Sequence, residues 1–453
     1  MRTVLLLHLL WTLAALPVVC RQQRHPASAA AWIAVIGLLP LLGTLLYLLA
    51  GFREASGATY SPAADAPEEE AFCFNDRLER IIHAGCGTRT ARCNRVALLH
   101  NGSNAFTALI AALQRASRSI HMEYYIFCDD RIGRAIAEIL ARKARGGVEV
   151  RVIYDAVGSW GISRTLLARM ERAGVAIRPF EPLRFPWFTP RSTRRNHRKM
   201  VVTDGRTAFL GGINIAKYYL DGDCLGKWRD EHLRIEGDAV ADLQRLFLDD
   251  WAYVSGERLD AGRYIARHTV RRRLPVQVSW AGTGPSRRTL AEAFATAIAT
   301  ARRRIRICTP YLLPPALLLE ALRMAARSGV QVEAMIPAGS DSRLADRIAE
   351  SYVGDLLEAG IALYRYERGF LHAKMLLVDD CVASVGTANL DYRSLHDNWE
   401  VTLFIRDRRL VTAISEGFDR DLAACRRITP AGWHPTLPRR MVNDVLRLAS
   451  PLL

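Results

Sequence analysis

The sequence predicts an α/β protein of two duplicated lobes packed around one shared site, preceded by two N-terminal transmembrane helices. Three observations carry that expectation. The stretch Asn196-His197-Arg198-Lys199-Met200-Val201-Val202-Thr203-Asp204, followed after six residues by Gly211-Gly212-Ile213-Asn214, returns as Leu371-His372-Ala373-Lys374-Met375-Leu376-Leu377-Val378-Asp379 with Gly386-Thr387-Ala388-Asn389 at the same distance. Each copy closes a run of apolar strands alternating with amphipathic helices, the mark of a β/α unit used twice. Two apolar runs open the chain.

Residues 1–54 are expected to form the membrane anchor. The runs Thr3–Val19 and Ala27–Ala50 each reach most of the way across a hydrocarbon core of roughly 30 Å at about 1.5 Å per helical residue. A signal peptide or lipoprotein signal ending at Cys20 is the alternative for the first, although Val19 is large for such a cleavage site. The basic turn Arg21–Pro26 favours a cytoplasmic connection, and Arg2 and Arg53 on the other side nearly balance it. Residues 55–95 read as a linker and irregular segment. Ala55–Glu70 is rich in Gly, Ala, Ser and Pro and ends in three glutamates, which suits an exposed linker. Phe72–Arg95 reads as a loop packing on the first lobe, with a metal cluster of its cysteines, His83 and His100 as the alternative.

The first lobe is placed at 96–257. Its periodicity predicts helix Ala105–Arg118, strand Ser119–Phe127, helix Ile132–Arg145, strand Val148–Asp155, helix Leu166–Ala173 and strand Val175–Phe180, leading to the first motif. A linker at 258–275 carries Arg271-Arg272-Arg273. The second lobe, 276–427, repeats the order: helix Leu290–Arg303, strand Ile305–Tyr311, helix Leu317–Arg327, strand Val330–Ile336, helix Leu344–Glu358 and strand Ile361–Tyr366, leading to the second motif. Short phrases recur as well, Gly147-Val148-Glu149-Val150 against Gly329-Val330-Gln331-Val332. Residues 428–453 form a C-terminal tail, where Arg439-Arg440 is a candidate contact for anionic lipid.

Along a strand His197, Lys199 and Val201 leave one face while Met200 and Val202 leave the other, and His372 and Lys374 repeat the arrangement. If the copies face each other, one site holds two imidazoles and two lysines, which is sufficient for phosphodiester chemistry without a metal or cofactor. Lys199 and Lys374, with the amides of Asn214 and Asn389, would hold phosphate oxygens. One imidazole would attack phosphorus while the other protonates the leaving oxygen. Each motif is followed by a candidate orienting acid, Asp230 in Trp228-Arg229-Asp230-Glu231-His232 and Glu400 in Trp399-Glu400-Val401, which would fix an imidazole tautomer.

The doubled motif resembles that of the phospholipase D superfamily, and the surrounding sequence resembles its bacterial cardiolipin synthase branch over nearly the whole chain. The resemblance implies phospholipase D-like lobes around a shared active site and a covalent phosphohistidine. It marks His197, Lys199, Asp204, His372, Lys374 and Asp379 as the catalytic set, with His197 as the nucleophile. It further implies phosphatidyl transfer between two phosphatidylglycerols, giving cardiolipin and glycerol at the bacterial inner membrane. Gly212 and Thr387 depart from the pattern by standing where the superfamily usually has serine, and so does Ala373. A phospholipase D, a transferase using another alcohol, a superfamily nuclease and an inactive lipid-binding module are the alternatives.

Composition fits an anionic partner. The chain of 453 residues has a net charge of +16, which suits nucleic acid or an anionic membrane surface. The apolar N-terminus selects the membrane, so no nucleic acid is expected as partner. The segment Arg184–Arg195 interleaves aromatic residues with arginines and fits lipid headgroups, single-stranded nucleic acid or a plain solvated loop. Nine scattered cysteines without a C-x-x-C pair are expected as free thiols.

Overall fold

The computed structural model describes residues 2–22, 26–48, 76–182, 194–447 and 450. The Ala55–Glu70 linker, Cys73 and all of Arg184–Arg195 except Arg194 and Arg195 lie outside the described residues. The strands of the first half are β1 (Ala91–His100), β2 (Ser119–Tyr124), β3 (Glu149–Asp155), β4 (Ala176–Phe180), β5 (Lys199–Thr203), β6 (Thr207–Gly211), β7 (Lys227–Arg229) and β8 (Glu231–Gly237). Those of the second are β9 (Arg273–Ala281), β10 (Arg304–Cys308), β11 (Gln331–Pro337), β12 (Ala362–Tyr366), β13 (Gly369–Leu371), β14 (Met375–Val378), β15 (Val382–Gly386), β16 (Glu400–Ile405) and β17 (Cys425–Ile428).

All but β7 and β13 join one sheet, β17-β12-β11-β10-β14-β15-β16-β9-β1-β8-β6-β5-β2-β3-β4. Outward from the central β1–β9 pair, one direction gives β1-β8-β6-β5-β2-β3-β4 and the other β9-β16-β15-β14-β10-β11-β12, with β17 added at the edge. The positions match one to one, so the duplication read from the sequence is present in the topology. The matching strands β2, β3 and β4 in the first half and β10, β11 and β12 in the second run parallel, which requires crossover helices between them. Helices Arg131–Arg145 and Arg164–Arg172 serve the first half, and Ala316–Arg327 and Arg343–Glu358 the second. Their starts are fixed by side-chain caps: Asp130 accepts from the amides of Ile132 and Gly133, Ser163 from Leu166, and Ser342 from Ala345, each satisfying amides that a helix leaves unpaired.

Each lobe has its own core, around Phe106, Leu140 and Val152 in the first and Ile307, Leu322 and Ile348 in the second. A third cluster draws Met200 and Leu233 from one lobe together with Met375 and Leu403 from the other. The two halves are therefore packed through shared apolar surface as well as through β1 and β9.

Two expectations need correction. The segment read as irregular through residue 95 contains helix Asp76–Cys86 and the start of β1. That helix packs on the second lobe: Leu78 and Ile82 enter its core, Glu79 pairs with Arg406 at 3.0 Å, and the Cys86 thiol reaches the Trp280 carbonyl at 3.4 Å. His83 contacts the Thr88 carbonyl, whereas His100 pairs with Glu231 at 2.8 Å, so these histidines serve separate local contacts.

The N-terminus folds as helices Arg2–Gln22, Pro26–Leu38 and Pro40–Leu46, with the Trp11 indole donating to Thr44 at 2.8 Å. The run expected as one span is divided at Leu39, because the ring of Pro40 disfavours helical backbone at the residue before it. Among the described residues no helix is long and apolar enough to cross a membrane. In the first helix the side chains described are only those of residues 10–20.

Candidate active site

His197 and His372 stand two residues before Lys199, which opens β5, and Lys374, which precedes β14, and both strands lie inside the sheet with a partner on each side. Each histidine is stitched by its backbone to the opposite lobe. The His197 amide donates to the Trp399 carbonyl at 2.9 Å, and the His372 amide donates to the Arg229 carbonyl at 2.7 Å. The short β7–β13 pair extends the second stitch.

This backbone register delivers the acids crosswise. His197 Nδ1 lies 2.8 Å from Glu400 Oε1, and His372 Nδ1 lies 2.7 Å from Asp230 Oδ2. Each acid thus meets the histidine of the other half, not the motif it follows in sequence. The histidine side chains are 11% and 7% exposed, and both carboxylates are fully buried. Lys199 Nζ donates to the His197 carbonyl at 2.6 Å and faces the Tyr125 ring, whose edge meets the His197 ring at 4.9 Å. Lys374 Nζ donates to the His372 carbonyl and lies 2.8 Å from His372 Nδ1 and 3.2 Å from Nε2. A proton on Nδ1 pointing at Asp230 cannot also leave that nitrogen as an acceptor for Lys374. The carboxylate contact is shorter and charge-assisted, so Nδ1–H faces Asp230 and Nε2 faces the site.

The halves differ around their acids. Thr387 Oγ1 donates to Glu400 Oε2 at 2.5 Å. At the matching position Gly212 offers no hydroxyl, and a Cβ there would lie 2.2 Å from Asp230 Oδ1. The glycine is required for space. Asp230 Oδ1 instead accepts the Glu231 amide at 2.7 Å.

The electrostatics follow from burial. Desolvation takes His197 down to about 4 against the opposing pull of Glu400, and it takes His372 well below the usual imidazole range with help from both lysines. Both rings are neutral at pH 7. Burial lowers Lys199 and Lys374 as well. Burial pushes Asp230 up to about 6, while Glu400, although buried, is held below its ordinary value by His197, Lys199 and Thr387. An anionic group entering between the lysines would favour their charged forms and that of the imidazoles.

Other expected site residues fall elsewhere. Asn214 Nδ2 donates to the Tyr219 hydroxyl at 3.1 Å, and its oxygen accepts the Ile126 amide; Asn389 Nδ2 donates to Asp391 at 2.9 Å. Both amides are thus engaged within their own lobes, each with one N–H left over. Asp204 and Asp379 are corrections to the catalytic set. Seven residues of extended chain, about 20 Å, separate each from its histidine. Asp204, at φ 54°, accepts from the amides of Ser117, Arg118 and Ser119, and Asp379, at φ 51°, from those of Arg302, Arg303 and Arg304. They anchor the far turns.

Two features were missed by sequence reasoning. Tyr219 brings its hydroxyl within 3.3 Å of His372 Nδ1 and of the Gly212 carbonyl. Behind His197, a buried ionic cluster joins Glu123 to Asn196 and Arg198 to Asp250, and Arg198 Nε also donates to the Glu400 carbonyl at 3.3 Å. The interruption of an apolar strand by Glu123 was the available signal.

Comparison with known proteins agrees with this architecture. The family model described as "Cardiolipin synthase, PLD-like domain" matches residues 109–251 and 294–422, and "Phospholipase_D-nuclease N-terminal" matches 9–51. Cardiolipin synthase 2 of Bacillus anthracis is 38% identical, with 96% of this chain and 89% of the relative covered. Cardiolipin synthase of Geobacillus kaustophilus is 37% identical, with 96% and 91% covered. The crystal structure of phosphatidylserine synthase from Haemophilus influenzae superposes with a TM-score of 0.64 at 15% identity, covering 83% of this chain and all of that one, a likeness of fold. With both motif lobes matched and the relatives aligned almost end to end, the chain belongs to the cardiolipin synthase family of phospholipase D-like proteins.

Proposed function

We propose that the protein is a phosphatidyltransferase that joins two phosphatidylglycerols into cardiolipin and releases glycerol. The observation that carries the reading is the crosswise assembly: two imidazole–carboxylate dyads and two buried lysines converge from opposite lobes in a chain of this family. Lys199 and Lys374, with the remaining N–H groups of Asn214 and Asn389, hold the phosphodiester. His197 Nε2 attacks phosphorus, the bond to the glycerol oxygen breaks, and His372 as imidazolium gives that oxygen its proton. His372 Nε2 then takes the proton from a hydroxyl of the second phosphatidylglycerol, whose oxygen attacks phosphorus and displaces His197.

The unequal acids support this division of labour. Glu400, tied to Thr387 and held ionised, keeps His197 as the Nδ1–H tautomer with Nε2 nucleophilic. Asp230 lacks the hydroxyl and is raised to about 6 by burial, and the anionic phosphodiester between the lysines would raise His372 so that it takes up and releases the proton. The remaining site residues act on the protein itself, Asp230 and Glu400 as positioning groups and Asp204 and Asp379 as anchors of the fold.

The N-terminal helices anchor the enzyme in the bacterial cell membrane as a multi-pass protein. Their apolar sequence, the exposure of Leu38, Leu41 and Leu45 and the N-terminal family match support that placement. Anchoring raises the effective concentration of a lipid acceptor over water. With phosphatidylglycerol in mixed micelles, purified protein should form a lipid of two phosphates and four acyl chains together with free glycerol, and added glycerol should reverse the reaction. His197→Ala and His372→Ala should each abolish turnover, with the double variant no worse. Phosphatidic acid as sole lipid product would make the protein a hydrolase.

A further inference from the structure

The C-terminal helix Leu437–Arg447 is attached to the second lobe by its polar side. Arg439 and Asn443 bond Glu350 at 2.5 Å and 3.3 Å, and Arg447 pairs with Asp355 at 2.9 Å while its guanidinium lies over the Tyr352 ring. Leu446 tucks against the core, and the Ser450 hydroxyl bonds that of Tyr352. The opposite side carries Leu437, Met441 and Val445 at spacings of four, exposed by 69%, 62% and 67%, with Val442 beside them. An amphipathic helix on a soluble protein normally turns such a stripe inward; this one turns it out.

We infer that this stripe is a second membrane contact, seated in the interfacial layer of a bilayer that contains anionic lipid. Helix Leu437–Arg447 has 11 residues, about 16 Å long and about 10–12 Å wide, so one face offers on the order of 200 Å², well short of the roughly 800 Å² per partner that a stable dimer buries. A short apolar stripe is enough, however, for a helix already delivered to the surface by an anchor elsewhere in the chain. Charge points the same way. Arg440 is exposed on the helix and Arg427 on the neighbouring edge strand β17, where Arg426 is exposed but paired with Glu367 at 2.7 Å, and Arg426 and Arg439 lie close enough to Arg365 to repel it. Asp444, exposed four residues after Arg440, is the opposing charge on that flank. Arginines beside an apolar stripe are the composition that anionic interfaces bind. Of the two arginines read from the sequence as lipid contacts, Arg439 is committed to Glu350, which leaves Arg440.

The inference rests on the enzyme being membrane-anchored, but the deciding readout of its test, quenching by lipid, is independent of turnover. Full-length protein with Cys20→Ser, Cys73→Ser and Cys224→Ser would carry an environment-sensitive fluorophore at Met441→Cys or, as control, at Arg206→Cys in the β5–β6 turn. It would be reconstituted in vesicles of equal parts phosphatidylglycerol and phosphatidylethanolamine containing acyl-chain spin-label quenchers. The fluorophore at 441 should be blue-shifted and quenched several-fold more strongly than the one at 206. In a separate comparison, Leu437→Ser/Met441→Ser/Val445→Ser should slow turnover of vesicle phosphatidylglycerol on the order of tenfold and leave turnover of monomeric short-chain phosphatidylglycerol unchanged. Equal quenching at the two positions would overturn the inference. So would a blue shift at 441 that appears without lipid quenching and grows with protein concentration, because a second copy would then cover the stripe. A protein that shows the quenching but makes no cardiolipin would keep the contact and refute the proposed reaction.

Discussion

Restoring the superfamily's usual serine at position 212 should damage this enzyme. A Cβ at Gly212 would sit 2.2 Å from Asp230 Oδ1, 2.5 Å from Oδ2 and 2.6 Å from Cγ. A comfortable contact is about 3.5 Å, so the carboxylate must retreat by about 1.3 Å. The neighbouring atoms belong to the end of a side chain, which would ordinarily make the shift cheap. Here that end is held by His372 Nδ1 at 2.7 Å and by the Glu231 amide at 2.7 Å, so the movement is taken from the dyad itself. A displacement of about 1 Å in a catalytic group reduces rate by about a hundredfold, and loss of the tautomer-fixing carboxylate reaches about 10⁴. Gly212→Ser should therefore lower kcat/KM by between about 10² and 10⁴, some 3–5 kcal/mol of transition-state stabilisation. Glycerol release from phosphatidylglycerol micelles measures this, with circular dichroism melting to establish that the variant is folded. If the damage runs through the dyad, Gly212→Ser combined with Asp230→Ala should be no slower than Asp230→Ala alone. A Gly212→Ser enzyme within threefold of the parent would refute the packing argument, and a double variant far below both singles would refute the route through Asp230.

Three further outcomes follow from the same geometry. Asp204→Ala and Asp379→Ala should each lose about 1–3 kcal/mol of stability, because three backbone amides lose their acceptor, while folded variant keeps kcat within a few-fold of the parent; a large fall in kcat at unchanged melting temperature would return these residues to the catalytic set. A carboxylate favours the imidazolium beside it, so Asp230→Asn should lower the His372 pKa and move the alkaline limb of kcat/KM to lower pH, whereas Glu400→Gln should reduce the rate without moving that limb; identical pH profiles would refute the unequal roles. His121, His197 and His232 are buried and held neutral down to about pH 4, whereas in the unfolded chain they take up protons near pH 6.5. Their contribution is intact above pH 6.5 and is lost as pH falls towards 4, by on the order of 2–3 kcal/mol for each, so a calorimetric melting temperature that stays flat between pH 7 and 4.5 would refute it.

The periodic parts of the chain were legible. Helix Arg131–Arg145 was expected to begin at Ile132, and β11 at Val330 in place of Gln331, because hydrophobic spacing marks an element and a cap such as Asp130 marks its end. The motif histidines and lysines were legible because their type and spacing specify chemistry. The exchange of Asp230 and Glu400 was not, since both acids precede equivalent strands and nothing local says which lobe their side chains cross to. That choice is made by the His197–Trp399 and His372–Arg229 backbone bonds, which are contacts between distant segments. Asp204 and Asp379 show the opposite failure: their spacing was real, but it reports a turn at positive φ that accepts three amides. Helix Asp76–Cys86 was missed because its apolar positions serve the second lobe, far from the segment that follows it in sequence.

Crosswise dyads make the duplication obligatory, because neither motif histidine finds its carboxylate within its own lobe. They also free the two halves to diverge. Glu123 on β2 faces Met200, and its counterpart on β10, which faces Met375, is Cys308; Asn196 and Arg198 correspond to Leu371 and Ala373. The ionic cluster of Glu123 and Arg198 behind His197 therefore has no counterpart at the equivalent positions behind His372, where Cys308 and Ala373 are apolar. Burying charges is costly unless geometry satisfies them, and removing one partner leaves the others exposed to the full penalty, so such a cluster holds its loop to one arrangement. Arg198 extends that restraint to the Glu400 backbone, fixing both members of the His197 dyad. The His372 dyad is restrained differently: Gly212 packs against its acid, the Tyr219 hydroxyl lies nearby, and buried Arg229, paired with Glu231 and Asp421, donates to the Asp230 carbonyl at 3.0 Å. Both imidazoles are lowered by burial, and the lysines add to the effect at His372, so in the proposed reaction it is the anionic phosphodiester seated between Lys199 and Lys374 that lets His372 carry the proton between the departing and arriving hydroxyls.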